Sequence, residues 1–148
     1  MLPKKILVAH DLSDPANSAL ALAADLAGRL GASLEVLHVQ PDVYDGHSDP
    51  SLGLPWPAPE QVERYMRFLD TELESAIRGV LGDRKDLTIN RHVVRGEPAK
   101  RIAHLAEELG VDMVCIGATG KGAVERMLLG SVSQSVLRAS QRPVLTVH

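Results

Sequence analysis

The chain has 148 residues, 45% of them hydrophobic and 24% charged, which suits one domain with a full core. Its net charge is −3 and no Lys/Arg run exceeds two residues, so nucleic-acid binding has little electrostatic support. Aromatics are only 3%, so the core must come from Val, Ile, Leu and Ala, and base stacking is not expected as a main mode of recognition.

The single cysteine, Cys115, forms no intramolecular disulfide and fits a reducing compartment. The first apolar run is too short for a signal-peptide core, and no window approaches the roughly 18 apolar residues of a membrane span. A soluble, cytoplasmic protein without a membrane partner is expected.

Ile6-Leu-Val-Ala9 reads as a strand buried on both faces. Ser13 or Asp14 caps the next helix, with Pro15 in its first turn. Ala19, Leu22, Ala23, Leu26 and Leu30 recur at helical spacing until Gly31. Residues 33–39 read as a second strand. Residues 41–59, with five prolines and two glycines, read as a long loop, either a flap, a partner-binding segment or an excursion. Glu60 to Leu81 carries Val62, Met66, Leu69, Leu73, Ile77 and Val80 at helical spacing. Residues 87–94 form a third strand. Pro98 opens a helix whose apolar face is Ala99, Ile102, Ala103, Ala106 and Leu109, closed by Gly110. Residues 111–116 form a fourth strand, 131–139 a last helix and 143–147 a fifth strand.

The order β-α-β-α-β-α-β-α-β over 1–148 predicts one α/β domain. Its five-stranded, mostly parallel sheet is doubly wound, with helices on both faces. Ligands of such sheets bind beyond the carboxyl ends of the strands, where strand order reverses. Three segments can meet there: Ala9-His10-Asp11, Val39-Gln40, and Gly117 onward.

Several chemistries lack their signatures. Lys121 is followed by Gly122, so there is no P-loop, and no Gly-x-Gly-x-x-Gly follows the first strand. No Cys pair or close His pair marks a zinc site. Ser131 is not in a Gly-x-Ser-x-Gly elbow. What remains is Gly117-x2-Gly120-x9-Gly130-Ser131, between a strand and a helix start. Glycine lets backbone N–H groups approach an anion, and a helix N-terminus adds partial positive charge.

With this spacing the chain resembles the ATP-binding branch of the universal stress protein family. The resemblance runs the whole length, through Lys5-Ile-Leu-Val-Ala-His-Asp11, Leu37-His-Val39, Gly96-Glu-Pro98, Leu128-Leu-Gly-Ser-Val-Ser133 and Arg142-Pro-Val-Leu-Thr-Val147. It implies a Rossmann-like fold of the adenine nucleotide alpha hydrolase type. It also implies a site for ATP (or ADP or AMP), with Mg²⁺ or Mn²⁺ held by the phosphates and no metal ligands from protein side chains. On this resemblance Ala9, His10 and Asp11 line the nucleoside end and Val39 flanks the adenine. Ile116, Gly117 and Gly120 pass close to ribose and phosphates, and Gly130, Ser131, Val132 and Ser133 hold the phosphate chain. Lys121 is a further candidate, although it and Glu125-Arg126 sit at variable positions. Related proteins dimerise by pairing the last strand, so a homodimer through 143–147 is expected.

Plainer roles stay open for the same residues. The glycines can be turn residues, Asp11, Ser131 and Ser133 helix caps, His10 a backbone contact, His38 a core histidine and Cys115 an inert thiol. The first function expected is a non-enzymatic, nucleotide-dependent stress-response module. The alternatives are a slow ATPase or phosphotransferase using Asp11, His10 or Lys121, and a dimeric interaction module with an empty cleft.

Overall fold

The computed structural model describes residues 1–42, 57–120 and 129–148. Five strands, β1 (Lys5–Ala9), β2 (Ser33–Gln40), β3 (Ile89–Arg95), β4 (Met113–Gly117) and β5 (Val144–Val147), form one sheet. Its order is β3-β2-β1-β4-β5 and each neighbouring pair is parallel. Between the strands run α1 (Asp14–Leu30), α2 (Pro59–Leu81), α3 (Pro98–Glu108) and α4 (Ser131–Ala139). The doubly wound parallel sheet expected from the alternation is the fold observed.

Strand alternation splits β1 between two cores. Ile6 and Val8 join Ala19, Leu20, Ala23, Ala24, Ala27, Leu34, Val36, Leu73 and Cys115 on the α1/α2 face. Leu7 and Ala9 join Leu37, Ile102, Leu105, Ala106, Val114, Ile116 and Val136 on the α3/α4 face. A residue run buried on both sides is the signature of a central parallel strand. Truncating Leu73, fully buried, to Ala would cost about 2–5 kcal/mol.

The inward stripe of α1 differs from its sequence reading. It is made of Ala16, Ala19, Leu20, Ala23, Ala24 and Ala27, and Leu22 lies on the outer flank with 40% exposure. Small residues bring the helix backbone close to the sheet, and that close fit outweighs the larger transfer energy of one leucine. On α3, Leu105 is buried as well as the expected Ala99, Ile102 and Ala106.

Strand starts also move, for identifiable reasons. β4 begins two residues after Val111 because Asp112 lies across the sheet end. Its carboxylate accepts the N–H groups of Lys4 and Lys5 at 2.8 and 3.0 Å. Pro143 has no N–H to contribute, and its carbonyl accepts from Val114 at 2.9 Å before β5 begins. Of the loop read over 41–59, residues 41–42 and 57–58 precede and follow as coil and Pro59 is the first residue of α2; 43–56 lie outside the described residues.

Candidate functional site

Sheet order reverses between β1 and β4: α1 and α2 lie on one face, α3 and α4 on the other. The divergence of the two crossovers opens a crevice beyond the carboxyl ends of these strands. A cleft of about 470 Å³ occupies it. Ala9, His10, Asp11, Val39, Ile116, Gly117, Gly120, Gly130, Ser131, Val132 and Ser133 all line this one cleft. Lys121 lies outside the described residues. The sequence reading passed over Leu12, Pro41, Tyr65, Leu69, Pro98 and Ile102, which also line it.

The floor is a β1–α1 turn held by its own side chains. Leu12 takes the left-handed conformation, φ 66°, a setting that costs a branched residue on the order of 1 kcal/mol. Its N–H donates to His10 Nδ1 at 3.1 Å. That bond makes Nδ1 the acceptor, so Nε2 carries the proton and donates to Asn17 Oδ1 at 2.9 Å. Burial holds the His10 pKa below its usual 6.5, against the opposing pull of Asn17 and Asp11. With both nitrogens engaged and the neutral form favoured, His10 braces the turn and offers no free base. Asp11 Oδ1 accepts from the N–H of Ser13, at 3.1 Å, and from its hydroxyl. Ser13 in turn caps α1 by accepting from Ala16 N.

His38 sits in the same wall, 6% exposed. Its Nδ1 donates to the His10 carbonyl at 2.8 Å, which ties β2 to the β1 end, and its buried Nε2 has no hydrogen-bond partner. Cys115 donates to the Ala19 carbonyl at 3.5 Å, and burial pushes its thiol up to about 11, so it is unreactive at neutral pH.

The glycines have separable reasons. A Cβ on Gly117 would stand 2.9 Å from the backbone of Pro15, in the first turn of α1, so this glycine serves close packing within the chain. A Cβ on Gly120 would stand 2.6 Å from Asp11 Oδ2, on a carboxylate that Ser13 anchors. Gly130 is under no such constraint. Its φ is −73°, and a Cβ there would meet only ordinary contact, at 3.5 Å from Thr119 Cα.

Gly130 is the N-cap of α4 and, as a glycine, brings no side-chain cap to that helix. No acidic residue lies in its first turn. The first N–H groups of a helix have no intrahelical partner; Ser131, Val132 and Ser133 carry those of α4, at the positive end of its dipole, and all three residues line the cleft. The Ser133 hydroxyl is already committed, donating to the Gly117 carbonyl at 2.7 Å. What Ser133 can offer an anion is its backbone N–H. Among the described residues no group of three or more His, Cys, Asp or Glu side chains could hold a metal ion, and no helix is long and apolar enough to cross a membrane.

The model of the universal stress protein family matches residues 3–148. The chain belongs to this family. Universal stress protein MJ0531 of Methanocaldococcus jannaschii is 32% identical over 148 residues, covering 99% of this chain and 82% of that protein. The chain spans less than half the length of the mycobacterial relatives it matches. Among solved structures, protein MJ0577 of the same archaeon superposes with a TM-score of 0.79 at 26% identity, covering 99% of this chain and 96% of that one. A universal stress protein from Archaeoglobus fulgidus, solved in complex with dAMP, has the same fold, with a TM-score of 0.59 at 21% identity and complete coverage of both chains.

Proposed function

We propose that the cleft binds an adenine nucleotide, with ATP as the ligand of first choice, and that the protein acts as a nucleotide-dependent regulatory module in a stress response. The base lies toward Val39 and Pro41 at the β2 side. The phosphates lie on the amides of Ser131, Val132 and Ser133. One observation carries this reading: the α4 start, unlike the α1 and α3 starts around the cleft, has neither a side-chain cap nor an acidic first turn, and its N-cap is a glycine the fold does not require. The dAMP complex of the Archaeoglobus relative supports the ligand class. A divalent cation, Mg²⁺ or Mn²⁺, would ride on the phosphate oxygens.

The reading is one of binding rather than turnover. His10 is braced on both nitrogens and Asp11 is engaged by Ser13, so neither is set up to activate water. Binding would shift a population of conformations rather than drive chemistry. A homodimer is part of the proposal. β5 is one of the two sheet edges, its residues are half-buried, and a sheet edge invites a second strand. A monomeric mass at micromolar concentration would remove that part alone.

Gly130→Asp tests the ligand assignment. The backbone angles accept a side chain and the Cβ has room, so the variant should fold, yet its carboxylate stands where the phosphates lie. Loss of ATP binding in a folded variant is expected. Unchanged affinity would sink the phosphate assignment.

A further inference from the structure

One aromatic residue of α2, Tyr65, lines the cleft. Tyr65, one turn before α2 reaches the packed core at Leu69 and Leu73, lines the cleft together with Leu69 and Pro41. Tyr65 is 47% exposed, and Phe68, one turn on, is 54% exposed. The two rings stack on each other with centroids 6.1 Å apart and planes 23° from parallel. This pair is two of the four aromatic residues in the chain.

Two features of the pair call for a ligand rather than a core role. No residue from Pro59 to Phe68 is buried, so the rings add nothing to the packing of α2 on the sheet. Phe68 stacks against Tyr65, and a ring contact of this kind lowers the entropy lost when another planar group stacks on the tyrosine. A half-exposed, braced aromatic ring in a ligand cleft is suited to the flat face of a base.

We infer that Tyr65 is a specificity-determining residue that stacks on the nucleobase, with Phe68 as its positioning residue. The inference rests on the nucleotide reading above. It makes affinity depend on the ring area of the ligand, and so favours purine over pyrimidine nucleotides. It places base recognition on an α2 ring as well as on the β2 backbone. The ring face carries the effect and the phenol hydroxyl does not.

The test is ATP titration of the wild-type protein, Tyr65→Ala and Tyr65→Phe, followed by calorimetry and by the proton resonances of adenine H2 and H8. Tyr65→Ala should bind ATP about tenfold more weakly, Tyr65→Phe about as tightly as wild type. The H2 and H8 lines should move upfield on binding to the wild type and to Tyr65→Phe, from the ring current, and much less with Tyr65→Ala. Because Tyr65 is exposed, the melting temperature of Tyr65→Ala should stay near that of the wild type, separating lost stacking from lost fold. A Tyr65→Ala protein with wild-type affinity, or with the same upfield shift, overturns this inference and leaves the nucleotide reading standing. A wild-type protein that binds no ATP overturns both.

Discussion

Two helix starts near the cleft are built in opposite ways. At α1, Ser13 caps the first turn, Asp14 supplies negative charge and Pro15 fills a position that needs no N–H. At α4 the cap is Gly130, which brings no side chain to the first amides, and no acid lies in the first turn. α3, whose Pro98 also borders the cleft, resembles α1: Glu97 accepts from the N–H groups of Ala99 and Lys100 at 3.1 and 3.0 Å. The chain thus caps two of these helix starts with its own side chains and places a glycine at the third. The phosphate site proposed above rests on that difference.

The largest expected effect reverses the α4 start. Gly130→Asp should weaken ATP binding at least a hundredfold, about 3 kcal/mol, by setting a carboxylate against the phosphates. The same variant should match or exceed wild-type thermal stability, because an aspartate is a better cap than glycine by about a few tenths of a kcal/mol. A lower melting temperature together with the loss of binding would show that Gly130 serves the fold after all.

Gly117→Ala is the counterpart. Its Cβ would press on the Pro15 backbone, which cannot yield as a flexible side chain would. It should cost about 1–3 kcal/mol of stability, read by urea denaturation. A Gly117→Ala variant as stable as the parent would mean that the β4–α1 contact is looser than described. Ser13→Ala comes next, with a loss of about 1 kcal/mol from the α1 cap; a variant with an unaltered denaturation midpoint would empty the contrast between the two starts.

The smallest effect is a pH dependence. Burial lowers the folded pKa of His10 below its unfolded 6.5. As pH falls through 6.5, the unfolded chain takes up a proton that folded His10 refuses, so its contribution to stability is complete above 6.5 and declines toward the lower folded value. Between about pH 7.5 and about pH 5.5 the denaturation midpoint should fall less for His10→Gln than for the wild type. Equal declines would remove His10 from the effect.

The sequence reading reached the fold and most of the cleft by two strong signals. Runs such as Ile6–Ala9, apolar at every position, suit strands buried on both sides, and their alternation with helices sets the switch point. The spacing of Gly117, Gly120 and Gly130 marked the polar end. It did not tell that a side chain at Gly117 would press on Pro15 while one at Gly130 would meet only ordinary contacts among the described residues, because that depends on α1 docking against the end of β4. Leu22 was misplaced because a leucine outweighs an alanine in a periodicity count, whereas in the packed helix a row of alanines sets the contact. Tyr65 was passed over for a similar reason. A low aromatic content argued against stacking, but composition counts rings without locating them, and Tyr65 borders the cleft. The left-handed Leu12 left no mark in the sequence, since glycine is the residue that announces that conformation.

The most direct test is calorimetric titration of ATP with Mg²⁺ into wild-type and Gly130→Asp proteins, each paired with its melting curve. A phosphate site at the α4 start predicts saturable binding to the wild type, its loss in Gly130→Asp, and a melting temperature for the variant without ligand at or above the parent's. Equal binding by the two proteins, or no binding by the wild type, would contradict the claim that the bare start of α4 is made for phosphate.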